Sequence, residues 1–250
     1  MWRQESLNLH IKEHQTGNLN KLLQLMNDEL LKNKNFTKGA HDYRYLQDSK
    51  YPQKGTLKIV GDRYKLSGDQ RTVLYRGISS KECSGKRKSR LIKDIKDKTL
   101  IIDGYNVLFT ILNYRLGKLV FISTDGILRD AGSLHGKIRN EEIFSECISL
   151  LFGYLITRRP SYLNIFLDSP VSHSAKHKNI IDSSLNEYSL SGCCKLVKSP
   201  DFEIKQNSSG VICTSDTAII KKTRNSIADL PRAVLEYNFD CNFIDIENIL

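Results

Sequence analysis

The 250-residue chain has no apolar run near the ~20 residues that a bilayer-spanning helix needs; the longest candidate, Ser149 to Ile156, is less than half as long. Its first twenty residues are polar and hold no secretory apolar segment. Its six cysteines, Cys83, Cys147, Cys193, Cys194, Cys213 and Cys241, show no C-x-x-C spacing, and most lie in apolar stretches as small buried thiols would. These absences predict a cytoplasmic protein in a reducing compartment. With only 5 Pro and 15 Gly the chain is not collagen-like, and with 40% hydrophobic residues it is not mostly disordered. One large or two small folded domains fit these figures.

Familiar phosphate-handling signatures are also missing. No G-x-x-x-x-G-K-[ST] occurs, which excludes an ordinary P-loop NTPase. No G-x-G-x-x-G follows the first expected strand, which removes the usual dinucleotide-binding oxidoreductase. Asp103 is followed by Gly104-Tyr105 with no second acid two residues on, against a D-x-D phosphatase. His173 and His177 stand four apart but lack the glutamate of H-E-x-x-H, and read as solvated surface histidines.

Positive charge is present and unevenly placed. The net charge is +10, yet residues Met1 to Lys98 hold 22 Lys and Arg against 11 Asp and Glu, while the remainder holds 16 against 17. A basic first part joined to a nearly neutral second part predicts a polyanion-binding module attached to something else, with nucleic acid the leading partner.

Within the basic part, Leu19, Leu22, Leu23, Leu25, Met26, Leu30 and Leu31 lie at helical spacing and predict one amphipathic helix over Asn18 to Lys32. His41 to Asp48 and Ser67 to Gly77 read as helices, the latter with Ser67 and Gln70 placed as a capping box. Tyr51-Pro52 breaks the chain between them, and Lys54 to Leu66 fits helix or strand. Ser80 to Arg90 has few apolar residues and reads as a basic linker. The expected organisation is a helical extension over 1–35, a small basic helical domain over 36–80, a linker over 81–98 and an α/β domain over 99–250.

From Thr99 onward, short apolar runs alternate with longer amphipathic segments, as in a parallel sheet with crossover helices. Leu100-Ile101-Ile102 ends at Asp103, Asn164 to Leu167 at Asp168, and Val211 to Ser215 at Asp216. Leu196-Val197 leads through Ser199-Pro200 to Asp201. Residues just past the carboxyl ends of parallel strands converge on one crevice. One such aspartate is most simply a helix cap. Four on one edge predict a site for Mg²⁺ or Mn²⁺, because clustered carboxylates repel unless a cation neutralises them. The matching chemistry is phosphodiester hydrolysis by a metal-activated water.

Leu100 to Leu108, Leu-Ile-Ile-Asp-Gly-Tyr-Asn-Val-Leu, resembles the first strand and turn of PIN-like nucleases, especially their NYN branch. Val211 to Ile219 is similar to the later strand of that superfamily, ending T-x-D. The resemblance implies that Asp103 and Asp216 bind metal, that Asn106 orients a ligand or water, and that Asp168 or Asp201 completes the acidic set, with Glu203 the alternative to Asp201. The whole arrangement also resembles an archaeal two-domain family known by domains of unknown function numbered 434 and 5616. Asp42-Tyr43-Arg44-Tyr45-Leu46, Tyr51 to Lys54 and Val60 to Tyr64 through Arg71 carry the first half of that likeness. The Asp103 motif, Asp125 to Asp130, His135-Gly136, Asp168 to Ser172 and Thr214 to Asp216 carry the second.

Two segments keep two readings each. Asp125 to Arg139 could lean over the metal edge, with Asp130 an extra ligand and His135 assisting the leaving group, or form a β-hairpin turning at Asp125-Gly126 with its other charges solvated. Asp229 is a further superfamily acid or, preferably, a cap before Leu230-Pro231.

The sequence therefore predicts an α/β, PIN-like parallel-sheet domain with flanking helices, preceded by a small, mainly helical basic domain. The expected activity is Mg²⁺- or Mn²⁺-dependent RNA hydrolysis, RNA being preferred to DNA through the resemblance. Arg44, Lys54, Arg63, Arg71, Arg76, Lys86, Arg87, Lys88 and Arg90 are the candidate phosphate contacts. The alternatives are a PIN-like RNA-binding or scaffold protein without turnover, and another metal-dependent phosphoesterase.

Overall fold

Asn33 opens helix α1 (Lys34–Asp48): its side-chain oxygen accepts the Phe36 amide at 2.8 Å. The structure, a computed structural model, describes residues 26–27, 29–132, 138, 140–207 and 209–250. Most of the helix expected over Asn18 to Lys32 lies outside these residues; residues 26–27 and 29–32 are helical. Along α1, Phe36, Ala40 and Tyr43 recur at helical spacing and are fully buried. The ambiguous segment after Pro52 is helix α2 (Gln53–Arg63), with Val60 buried and Ile59 exposed. Helix α3 (Gly68–Gly77) begins with the expected capping box: Ser67 Oγ accepts the Gln70 amide at 3.2 Å and Gln70 Oε1 accepts the Ser67 amide at 3.0 Å. Gln70 Nε2 also donates to the Leu30 carbonyl at 2.7 Å, tying α3 to the chain before α1.

The expected basic linker is corrected. Its first part is helix α4 (Lys81–Lys88), capped by Ser80. A run of cations with so few apolar residues carries no hydrophobic period, because α4 is anchored by polar groups rather than by an apolar stripe. Arg87 is buried there, and Arg90 donates to the carbonyls of Asn225 and Ile220 at 2.8 and 2.9 Å.

The second part alternates strand and helix as expected. Strand β1 (Thr99–Asp103) leads into α5 (Gly104–Arg115). A hairpin follows, β2 (Val120–Ile122) with β3 (Leu128–Asp130), then α6 (Glu141–Arg158). Next come β4 (Tyr162–Asp168), α7 (Ser174–Glu187), β5 (Gly192–Val197) and α8 (Pro200–Gln206). The chain closes with β6 (Val211–Cys213), α9 (Thr217–Lys222), α10 (Leu230–Asn238) and β7 (Ile244–Asp245).

Four strands form a parallel sheet in the order β5-β4-β1-β6. Its central strands are continuous apolar runs because helices cover both faces. Leu100 and Ile102 pack with α5, α6, α7 and α10, whereas Ile101, Phe166 and Ile212 pack with Ile204 of α8 and Ile219 of α9. Among the described residues no helix is long and apolar enough to cross a membrane.

A smaller sheet, β3-β2-β7, joins the two parts. Side chains alternate across a strand, so Leu119 and Phe121 face the helical module while Ile122 faces the main core. Phe121 is completely buried among Phe36, Tyr43 and Leu74, and Ile246 closes the same cluster. The small module therefore completes its core with residues contributed by the second part. Burying one such phenylalanine contributes roughly 1.5–3 kcal/mol. A Cβ on Gly77 would meet the Phe121 ring at 2.8 Å, so the contact requires glycine there.

Candidate functional site

Each strand of the parallel sheet ends near one aspartate. Asp103 closes β1, Asp168 closes β4, Asp201 lies in the first turn of α8 after β5, and Asp216 precedes α9 after β6. The parallel registers place all four at the carboxyl edge of the same sheet.

Asp103 is the most enclosed, at 7% exposure. Burial pushes its carboxyl up to about 7, and the charges of Asp168 and Asp216 add to the rise; the Thr214 hydroxyl and the backbone N–H of Asn106 oppose it. Asp103 precedes α5 but makes no hydrogen bond of capping geometry. Its Oδ2 instead accepts from Thr214 Oγ1 at 2.9 Å. The neighbouring glycine is obligatory, since a Cβ on Gly104 would meet Leu167 at 2.6 Å and the Phe166 carbonyl oxygen at 3.0 Å.

A second tie crosses the same edge. Asn106 Oδ1 accepts from the Ser215 amide at 2.7 Å and from Ser215 Oγ at 3.0 Å. Thr214 Oγ1 accepts the Asp216 amide at 3.1 Å. The Asp103–Asn106 turn and the Thr214–Asp216 turn are thus held together by side chains 109 and 111 residues apart in sequence.

The remaining acids differ in their engagement. Asp216 caps α9, its Oδ1 accepting the Ala218 amide at 2.6 Å. Asp168 is half-buried, and burial followed by the charge of Asp201 raises its pKa. Asp201 pairs with Lys205 at 3.3 Å, and Glu203 lies in the same first turn. Among the described residues, no three His, Cys, Asp or Glu side chains are gathered at metal-ligating spacing. Hard carboxylate oxygens are the donors a magnesium-like ion takes, one or two at a time with water completing its shell, and Asp103, Asp168 and Asp216 are the carboxylates this edge offers.

The segment after β2 is a hairpin turning at Asp125-Gly126, with Gly126 at φ +82°. Its charges are not solvated. Asp125 is 1% exposed and accepts from Arg87 at 2.7 Å and from Arg129 at 2.7 and 3.0 Å. Burial alone would raise its pKa, but Arg129, Arg87 and the Ser123 hydroxyl outweigh it and bring it down to about 2. Arg129 Nε reaches on to the Ser215 carbonyl at 3.1 Å. A chain of contacts therefore runs from α4 through the hairpin to the residue before Asp216.

Asp130 is likewise enclosed: Arg76, Asn113 and Gly132 donate to Oδ1 at 3.3, 2.9 and 2.9 Å, and Thr110 donates to Oδ2. These partners make it a junction between α3, α5 and β3. His135, with Lys137 and Arg139, lies outside the described residues. Asp229 is the expected cap: Oδ1 accepts the Arg232 amide at 3.2 Å, and Oδ2 accepts the Leu128 amide at 2.6 Å.

The pair His173 and His177 is corrected. His173 is exposed, but His177 is fully buried against Phe144, between the Tyr105 hydroxyl at 2.9 Å and Glu141. An isolated histidine pair gives no sign of partners 36 and 72 residues away.

The candidate phosphate contacts divide. Lys54, Arg63, Lys86 and Lys88 are exposed. Arg44, by contrast, is buried beside Asp48 and Glu247, Arg71 is bound to Asp62 and the Leu66 carbonyl, and Arg87 and Arg90 are spent internally. Arg76 remains partly exposed while bound to Asp130. Lys221 and Lys222, exposed on α9 beside Asp216, are additional cations at the edge. Their adjacency soon after T-x-D was the available sequence signal.

Known families match both parts. The model described as Protein of unknown function (DUF434) matches residues 35–90, and that described as Domain of unknown function (DUF5616) matches residues 92–233. The chain belongs to this two-domain family. It is 34% identical over 203 residues to Uncharacterized protein MJ0935 of Methanocaldococcus jannaschii, an alignment covering 80% of this chain and 96% of that one. No solved structure matches. The DUF5616 match contains all four edge aspartates, while Phe121 within it completes the core of the DUF434 module. The two family regions meet at Leu91, which bridges to Ile227.

Proposed function

We propose that this two-domain protein is a divalent-metal-dependent ribonuclease with a PIN-like catalytic domain. The observation that carries the proposal is the buried Asp103 carboxylate, raised in pKa, neighboured by Asp168 and Asp216 and, among the described residues, with no basic side chain bonded to it. Such a group is expensive to ionise unless a cation joins it. Asp103 and Asp216 would hold Mg²⁺ or Mn²⁺, with Asp168 or Asp201 completing its surroundings through water. When bound, the ion would acidify water and stabilise charge on phosphoryl oxygens.

The chain supplies the framework for that chemistry. Thr214 fixes the Asp103 carboxylate, Asn106 fixes Ser215, and Arg129 holds the Ser215 carbonyl, so the two acidic turns keep one spacing. Exposed lysines of the first module and of α9 would hold the RNA backbone, with affinity falling as salt rises. The preference for RNA rests on the likeness of Leu100 to Leu108 and Val211 to Ile219 to PIN-like and NYN nucleases.

Purified protein should cleave RNA with Mn²⁺, stop in chelator, and lose at least a hundredfold activity as Asp103→Asn or Asp216→Asn. Cleavage in chelator, or full activity in both variants, would overturn the proposal. RNA binding without cleavage under every metal tested would favour the scaffold alternative.

A further inference from the structure

A cleft of about 590 Å³ separates the helical module from the acidic edge. This is the volume of a small-molecule site, too small for a duplex. Its walls come from both family regions. On the helical side are Tyr75, 40% exposed, and the amide side chains of Gln47 and Gln53. Gln53 Nε2 donates to the Tyr75 carbonyl at 2.8 Å, so α2 braces the residue that carries the ring. Arg76 is braced in turn by the Asp130 carbonyl at 3.0 Å. On the other side Lys221 and Lys222 have no carboxylate partner among the described residues. Asn106 and Asp216 bring the cleft to the edge itself.

An exposed aromatic ring, side-chain amides and unpaired cations are the groups that recognise a nucleotide. The ring stacks on a base, the amide oxygens of Gln47 and Gln53, whose nitrogens are bound to the Tyr51 and Tyr75 carbonyls, meet its polar edge, and the cations meet phosphate. We infer that this cleft seats one unpaired nucleotide of an RNA strand, its base on Tyr75 and its phosphate toward Lys221 and Lys222, with the strand continuing along the acidic edge. The inference rests on the ribonuclease reading for its choice of RNA. It makes the helical module part of substrate recognition rather than only a basic handle.

The test uses the full chain in chelator, where binding is read without turnover. A short fluorescein-labelled single-stranded RNA is compared with a series in which one abasic nucleotide is moved along the strand. One position should weaken binding about tenfold, the size of one lost base–aromatic stack. Tyr75→Ala should weaken the intact RNA by the same factor and be indifferent to the abasic position, while Tyr75→Phe should bind as the wild type does. Lys221→Ala with Lys222→Ala should weaken the whole series and lower its salt dependence. Equal binding of every abasic strand, or a position dependence that survives in Tyr75→Ala, overturns the inference. A nucleoside monophosphate should displace the RNA only far above the RNA's own dissociation constant; displacement at comparable concentration would make this a free-nucleotide site and overturn the strand assignment. Cleavage with Mn²⁺ is read separately. Cleavage without position dependence removes the seat and keeps the nuclease, whereas position dependence without cleavage keeps the seat and removes the nuclease.

Discussion

Replacing Asp103 with asparagine should stabilise the protein when no divalent cation is present. The native carboxyl is pushed up to about 7 from an ordinary 3.8. Between those values the native state binds a proton that the unfolded chain has released, so wild-type stability falls as pH rises, at about 1.4 kcal/mol per pH unit. The loss accumulates to about 4 kcal/mol near pH 7 and is constant above it. Asparagine does not titrate and still offers Thr214 a carbonyl acceptor. The advantage of Asp103→Asn should therefore be small at pH 4 and reach about 4 kcal/mol at pH 8, on the order of 10 °C in melting temperature for a chain of this size. Urea unfolding in chelator across this pH range measures the gap. Saturating Mn²⁺ at pH 8 should then stabilise the wild type and not the variant, by mass action at the native site. A gap that does not widen with pH, or equal stabilisation of both proteins by Mn²⁺, would refute the reasoning.

Three other outcomes follow from the packing around the edge. Asp125→Ala should cost about 3–5 kcal/mol in urea unfolding, because it strands Arg87 and Arg129 in the interior; in the wild type, the stability this carboxylate supplies should persist above about pH 4 and fade as pH falls toward its native value of about 2. Phe121→Ala should cost about 3–5 kcal/mol and remove hydrogen-exchange protection from α1 and α3, although Phe121 lies in neither; unchanged protection there would contradict a shared core. Lys54→Ala with Lys88→Ala should lower the salt dependence of RNA binding by about one unit of log–log slope at unchanged melting temperature, whereas Arg87→Ala should lower the melting temperature and leave the slope alone.

The acidic edge was legible because parallel strands write themselves as short apolar runs, and the residue after each run faces the crevice. The caps at Ser67 and Asp229 were legible for a similar reason: their partners lie within three residues. What stayed hidden depends on long-range pairing. Arg87 looked like one cation in a basic run until Asp125, 38 residues on, was placed beside it. Asp130 looked like a possible ligand until Arg76, 54 residues before it, was placed against it. His177 gave no sign of burial because Tyr105 and Glu141 reach it from two other helices. The expected boundary at residue 80 follows a change in composition, but composition does not report that Phe121 belongs to the same buried cluster as Phe36 and Leu74.

In the proposed ribonuclease the strand-end aspartates would gather around a divalent cation. A crystal of the full chain soaked in Mn²⁺ and measured for anomalous scattering tests it most directly. A peak beside Asp103 and Asp216 in the wild type, absent in Asp103→Asn, is the result expected. No peak at that edge, or the same peak in the variant, would contradict it.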